Sequence, residues 1–373
     1  MVLFFQILGS ILGGILLLLL LVWAVIHFIG SIGVRPFDVT AWTIEPTVPV
    51  KMEPLSDGSF KISWKVQADL TEIQMGTDPE NIHQPVTYTK IFEHEVLIHD
   101  VDRKQRVYFE LIFSDHSKLT VAERFVPLEH AHNFRDLGGY QTRDGKQVRW
   151  GRLFRTDALD QLSDSDQAYL TAMGLRLVCD LRHAEECEKH PDLLPAAVQH
   201  LHLPVNTEDW MKEIWPILFF QRRKMGTMME ESYPYMLKTF PKNFAAILTR
   251  FAEKENLPVA FHCTAGKDRA GLTAALLLGL LNVPDETIIA DYSISNYSFE
   301  ERTEKLNCDL GPQMRRYGVP LRDLAIFNAA NPDWMASALR YIRKEYGTTE
   351  NYLIQAAGMN GSTITAIRKN LLD

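Results

Sequence analysis

LPVAFHCTAGKDRAGLTAALLLGLL, residues 257–281, changes character twice. Leu257 to Phe261 is an apolar run of strand length that ends at His262 and Cys263. A tight loop, Thr264 to Asp268, follows with Gly266 in its middle. From Arg269 the chain becomes an Ala- and Leu-rich run of helix length, so the pattern predicts strand, loop and helix. The cysteine stands at the strand's C-terminal end, and the arginine comes six residues later.

That order suits an oxyanion. Backbone N–H groups of the loop meet the unpaired N-terminus of the following helix, where a partial positive charge favours anions. Arg269 adds a planar, two-pronged donor for phosphate oxygens. Cys263 at the same focus is expected to be held as a thiolate by those donors. A thiolate beside a bound phosphate is a nucleophile for phosphoryl transfer through a cysteinyl-phosphate. The plainer alternative is a buried strand cysteine followed by an unrelated arginine. Of the four cysteines, only Cys263 has an arginine at the sixth position after it, and only it has strand, glycine loop and helix around it.

HCTAGKDRAG resembles the phosphate loop of the protein tyrosine phosphatase superfamily, of the Cys-x5-Arg type. Its Lys-Asp-Arg ending resembles the bacterial tyrosine and dual-specificity phosphatases that also act on phosphoinositides. A second match is Asn133-Phe134-Arg135-Asp136-Leu137-Gly138-Gly139, which resembles that family's entry motif. The resemblance covers about residues 129–373. It implies phosphotyrosine proteins or phosphoinositides as substrates, a central, mainly parallel α/β sheet with helices on both faces, and no metal or cofactor. It also implies that Cys263 is the nucleophile, that Arg269 and the loop stabilise the equatorial oxygens, and that Asp268 donates the proton to the leaving group. Asp180, Glu208 and Asp209 remain alternative acids; Asn206, where many relatives carry an aspartate, cannot donate as an acid. Thr264, Ala265, Gly266, Lys267 and Ala270 are expected to contact substrate, with Lys267 a second cation suited to a phosphoinositide headgroup. Arg135 and Asp136 are expected to buttress or line the pocket, against a reading as an ordinary glycine turn. Arg155 either faces phosphate or pairs with Asp157 or Asp136. One departure stands out: the family pattern has a hydroxyl residue where this chain has Ala270. That substitution supports one alternative, a phosphate-binding protein with little turnover. A sulfurtransferase, which also uses a cysteine loop, fits the Lys-Asp-Arg ending poorly.

Composition is that of a globular protein of 373 residues with a net charge of −8. That length suits two domains, and the charge gives no ground for nucleic-acid binding. Four cysteines supply no disulfide framework. Val2 to Gly33 has no Asp, Glu, Lys or Arg. Its length predicts a transmembrane signal anchor over residues 1–34 rather than a cleaved signal peptide. Arg35 weakly favours a cytoplasmic C-terminal side. Secretion signals in family members and the spacer-like region that follows favour a single-pass membrane protein with an extracytoplasmic catalytic part.

A connector, Val34 to Pro49, leads into period-two alternation from about Trp42 to Pro127. Phe60, Ile62, Trp64 and Val66 alternate with Ser59, Lys61, Ser63 and Lys65. This predicts a β-sandwich over 35–128, resembling a fibronectin type III domain. In 129–373 the pattern predicts a helix from Asp164 to Met173, a buried strand from Leu175 to Leu181, and a strand from His200 to Val205. Asp180 and Arg182 fall at the C-terminal end of the first of these strands. The histidines at 183, 190, 200 and 202 match no compact metal set. Residues 206–240, rich in Met and aromatics and interrupted by Arg222, Arg223 and Lys224, read as a core helix or as a lid over the pocket, with the lid preferred. Everything from Pro284 onward reads as helical, with Gly347 and Gly358 as helix ends.

Overall fold

Alternating apolar and polar side chains build the first half of the chain. In the computed structural model, which describes residues 2–31, 33, 34, 36–206, 217, 221–316 and 319–373, eight strands form two antiparallel sheets. They are β1 (Val50–Pro54), β2 (Phe60–Trp64), β3 (Leu70–Gly76), β4 (Gln84–Pro85), β5 (Thr89–Phe92), β6 (Glu95–Ile98), β7 (Tyr108–Phe113) and β8 (Lys118–Ala122). One sheet has the order β1-β2-β6-β5 and the other β4-β3-β7-β8. Phe60, Ile62 and Trp64 point into a core shared with Phe109, Leu111 and Phe113 of the opposite sheet. Period two places every second residue there and leaves the others outside.

The second half is built on a five-stranded sheet. It consists of β9 (Arg135–Asp136), β10 (Leu153–Thr156), β11 (Leu177–Asp180), β12 (Gln199–His202) and β13 (Val259–His262), in the order β12-β11-β13-β10-β9. Strands β10, β11, β12 and β13 pair in parallel, while β9 pairs antiparallel with β10. Leu153, Leu177, Cys179, Val259 and Phe261 face one core; Phe154, Val178 and Ala260 face another. Burial on both faces explains why these strands read as continuous apolar runs. The helix Asp268–Leu280 leaves β13 and is buried nearly all round. Helices Asp285–Ser293, Phe299–Arg316, Pro332–Tyr346, Thr349–Gln355 and Gly361–Leu371 complete the C-terminal part. Gly347 and Gly358 adopt positive φ just beyond two of them, as expected of glycine helix ends.

Three expectations need correction. The fold is mixed α/β: two antiparallel sheets stand beside the five-stranded sheet, in which β9 also runs antiparallel, so a mainly parallel sheet is not the whole framework. Short connections join β1–β8 into antiparallel neighbours, and the chain turns back between β9 and β10. Second, among the described residues no helix is long and apolar enough to cross a membrane, which overturns the transmembrane anchor. Residues 2–31 are helical. The single-pass membrane localisation and its extracytoplasmic side fall with the anchor. Third, the described part of the lid region is core. Met225, Met228, Met229, Tyr233, Met236 and Leu237 of the helix Met225–Thr239 are buried in the main hydrophobic cluster. The remainder of 206–240, with Glu208 and Asp209, lies largely outside the described residues.

The two halves meet through buried polar contacts. Arg106, which is 3% exposed, donates to Asp136 Oδ2 at 2.9 Å, and Asp136 also accepts from the Gly138 and Gly151 amides at 2.8 Å each. Trp150 packs into the β-rich core and donates to Thr120 O at 2.9 Å. Removing one member of a buried pair leaves its partner charged and unpaired, which costs about 3–5 kcal/mol. Asp136→Ala should therefore lower unfolding stability by about that amount in urea titrations; a loss under about 1 kcal/mol would contradict this picture.

Candidate active site

Strand β13 delivers Cys263, 2% exposed, to the C-terminal edge of the sheet, where parallel α/β sheets bind their ligands. The loop then turns tightly at Gly266, whose φ is +63°. A Cβ there would lie 2.4 Å from Thr156 O, so only glycine fits. The helix Asp268–Leu280 begins with no side chain capping it. Its first amides are thus available to an anion.

Arg269 is fixed by Glu186 of the short helix Ala184–Lys189. Nη1 donates to Glu186 Oε2 at 2.7 Å and Nη2 donates to Oε1 at 2.9 Å. Thr264 completes the group: its hydroxyl donates to Glu186 Oε1 and accepts from Arg269 Nη2. Burial opposes the charge of Glu186, but Arg269 and Thr264 outweigh it and bring its pKa down to about 2. Burial also opposes the Arg269 charge, and Glu186 more than compensates, raising its pKa. Because the guanidinium fork is rigid, a two-point hold at one end fixes the direction of its remaining donor, Nε–H.

Beneath the loop lies a second clamp. Asp291 Oδ2 accepts from Arg155 Nη1 at 2.7 Å, and Asp291 Oδ1 accepts from Arg135 Nε at 3.2 Å. Arg155 Nη2 in turn donates to Gly266 O at 2.8 Å, and Asn133 Nδ2 donates to Ala265 O at 3.2 Å. These bonds turn the loop carbonyls away from the anion position and tie them to the scaffold. Burial, followed by the neighbouring Arg135, lowers the Arg155 pKa to about 10. The charges of Arg135 and Arg155 overcome burial and lower Asp291 to about 2. Arg135 and Asp136 are both fully buried, Arg135 bonded to Asp291 and Asn133 and Asp136 to Arg106. Arg155 pairs with Asp291, not with either of the aspartates suggested by the sequence.

Lys267 is fully buried. Its Nζ donates to Asp268 Oδ1 at 2.9 Å and sits 5.0 Å over the Trp334 ring. Asp268 Oδ1 also accepts from Tyr233 Oη at 2.6 Å, and Tyr233 and Tyr292 hydroxyls lie 2.5 Å apart. Burial lowers the Lys267 pKa. Asp268 is held below the usual carboxylate range, because Lys267 outweighs burial. The Lys267 ammonium is thus directed at Asp268 and the Trp334 ring. Ala270, on the first turn, is fully buried and supplies no hydroxyl.

Asp180 belongs to a different network. It accepts from Arg182 Nε at 3.0 Å and Nη2 at 2.7 Å, and His200 Nε2 lies 3.5 Å away. Asp192 accepts from Arg182 as well and lies 2.9 Å from His262 Nε2, while His262 Nδ1 is 3.3 Å from Cys263 O. Despite burial, His200 and Arg182 lower the Asp180 pKa far, which leaves it poorly suited to proton donation. Asp180, Asp192 and His262 are close enough to hold a metal. Arg182 in their midst, however, marks an ion-pair network behind the nucleophile.

The residues singled out in the sequence fall at the end of β13 and the start of the next helix: Cys263 just after the strand, Lys267 before the helix, and Asp268 and Arg269 as its first two residues. Sequence reasoning missed Glu186, Asp291, Tyr233 and Trp334 as partners of that loop. Glu186 carries a weak local signal, four residues after Arg182 and beside the strand end; the other three carry none.

The comparisons agree with this geometry. A family model described as "Tyrosine phosphatase family" matches residues 126–373. A tyrosine-protein phosphatase of Nostoc commune is 35% identical over 223 residues, 58% of this chain and 73% of the relative. The triple specificity protein phosphatase PtpB of Mycobacterium tuberculosis is 28% identical over 279 residues, 66% of this chain and 98% of the relative. The chain belongs to the tyrosine phosphatase family, and it is a protein-tyrosine phosphatase acting on phosphotyrosine-containing substrates. The matched region begins after β8, so it lends no support to the fibronectin type III likeness.

Glu186 also predicts a pH limit. Its pKa is lowered on folding from 4.5 to about 2. The stability it contributes is therefore fully present above pH 4.5 and is lost as pH falls through about 2. Glu186→Gln should flatten the acid side of a stability-versus-pH curve and, by loosening Arg269, lower kcat/KM roughly tenfold or more. Unchanged kcat/KM would contradict the clamp.

Proposed function

We propose that this phosphatase works through a phosphocysteine at Cys263. The Cys263 sulfur attacks phosphorus; the P–S bond forms as the P–O ester bond breaks, and Asp268 gives its proton to the leaving oxygen. Water then attacks phosphorus, Asp268 takes its proton, and the P–S bond breaks to release phosphate. Arg269 and the loop amides from Thr264 to Lys267 bind the equatorial oxygens, the electrostatic contribution that usually dominates. The catalytic unit is taken as 129–373 and the β-rich unit as 35–128.

One observation carries this reading: Cys263, an uncapped helix N-terminus and an arginine fixed by Glu186 converge at one strand end. Lys267 holds Asp268 below the usual carboxylate range, so the proton it donates is taken up as substrate binds: the Cys263 thiol loses a proton to become the thiolate and Asp268 gains one. An arriving phosphate dianion adds negative charge beside it and raises its proton affinity, which suits it to donate. Lys267, which would have favoured phosphoinositides, is occupied by Asp268 and Trp334, so phosphotyrosine is the favoured substrate.

Hydrolysis of p-nitrophenyl phosphate should persist in EDTA and disappear in Cys263→Ser. In a panel of phosphotyrosine and phosphoserine peptides and soluble phosphoinositides, phosphotyrosine should turn over fastest. Activity in Cys263→Ser would sink the mechanism. Ala270→Thr restores a hydroxyl one residue after Arg269 and should speed phosphoenzyme hydrolysis. If turnover and the pH profile of iodoacetate inactivation both stayed the same, the missing hydroxyl would be irrelevant.

A further inference from the structure

Residues 36–48 lie outside the region shared with the family, yet they are strapped to the catalytic half. Ile44 N donates to Ser293 Oγ at 2.9 Å, and that hydroxyl also lies 3.1 Å from Ile44 O. Asn296 Nδ2 reaches Val39 O at 3.5 Å. Ser293 is two residues from Asp291, the acid that holds the floor of the phosphate loop. These contacts hold a short aromatic column in place. Phe37 stacks on Trp42 with ring centres 5.2 Å apart and meets Phe299 edge-on at 6.2 Å. Trp42 lies 6.3 Å from Trp334. Trp334 carries Lys267 Nζ over its ring and contacts Tyr233 at 6.3 Å. Lys267 and Tyr233 are the two donors to Asp268.

We propose that Trp42 is a positioning residue for the phosphatase reaction, bracing Trp334 so that Lys267 and Tyr233 hold Asp268 in place. The catalytic loop is thus completed by a segment outside the family domain. The column runs through the edge of the main hydrophobic cluster, to which Trp334 and Tyr233 belong, and reaches the loop through Lys267 and Asp268. Trp334 is 1% exposed, and with Trp42 absent one flank of its ring loses its packing partner. The ring would then have room to shift, and the ammonium above it would shift with it. Small displacements of this kind are costly in catalysis because reacting groups must be held close to their productive geometry. The inference rests on the reading of Asp268 as proton donor.

The test uses the full chain, with Trp42→Ala and Trp42→Phe compared with wild type on p-nitrophenyl phosphate from about pH 4 to 8. Trp42→Ala should lower kcat roughly tenfold with KM within about twofold. The limb of the kcat profile set by Asp268 in the substrate complex should move upward as Lys267 loosens. Trp42→Phe should recover most of kcat and return the limb. Ser293→Ala, which releases the strap without touching an aromatic ring, should shift both in the same direction as Trp42→Ala. Wild-type kcat and an unmoved limb in Trp42→Ala would overturn the inference. So would equal losses in Trp42→Ala and Trp42→Phe with the limb in place, since that pattern marks a packing residue only. Asp268→Asn separates the two readings: if the limb survives there, the acid assignment has failed, and Trp42 is then judged on the kcat loss and its rescue by phenylalanine.

Discussion

Asp291 holds two buried guanidiniums with one carboxylate, and the phosphate loop rests on that arrangement. Arg155 passes the restraint upward to Gly266 O, and Arg135 passes it outward to Asn133, whose amide holds Ala265 O. A loop with amides turned inward needs its carbonyls turned outward, and carbonyls turned into a protein interior need donors. Arg155 supplies one to Gly266 O, Asn133 one to Ala265 O, and the Ala158 amide one to Thr264 O. The same bonds link β9, β10, the loop after β13 and the helix Asp285–Ser293, so the anion site and the sheet are fixed together. Two cations against one anion also leave a surplus positive charge below the loop, suited to a dianionic substrate.

Around this floor, each functional group has its own holder. Arg269 has Glu186 and Thr264. Asp268 has Lys267 and Tyr233. Cys263 O lies against His262, which is anchored by Asp192. Lys267, Tyr233 and the Asp192 carboxylate are buried, where the low local dielectric strengthens a satisfied bond and penalises a missing one, whereas Glu186 is partly exposed and Thr264 exposed. Preorganisation of this kind allows a site with little covalent machinery to transfer a phosphoryl group.

The strand, loop and helix of residues 257–281 were legible because periodicity, a glycine and a cysteine–arginine spacing are local signals. The strand was expected at Leu257 to Phe261 and lies at Val259–His262; the helix begins one residue early, at Asp268. Ser163 was legible as a helix start for the same reason and caps the helix Asp164–Ala172 through the Asp166 amide. Asp291, Tyr233 and Trp334 were not legible, because their roles come from contacts between segments far apart in the chain. Methionine and aromatic richness in 206–240 suits a buried helix as well as a lid, and the described part is buried. At the N-terminus, apolar composition alone suggested a membrane span that the described residues do not meet. Arg135 shows the limit of motif reading: its position was recognised, but its buried partner Asp291 lies 156 residues away and left no local signal.

The most direct test of the account is to trap the phosphoenzyme. Full-length protein mixed with p-nitrophenyl phosphate and quenched in acid within the first turnovers should yield one phosphorylated peptide by mass spectrometry. Cys263 should carry the phosphoryl group, and the missing hydroxyl at Ala270 should favour its accumulation. Phosphorylation on another residue, or rapid turnover with no phosphocysteine at any quench time, would contradict the assignment of Cys263 as nucleophile.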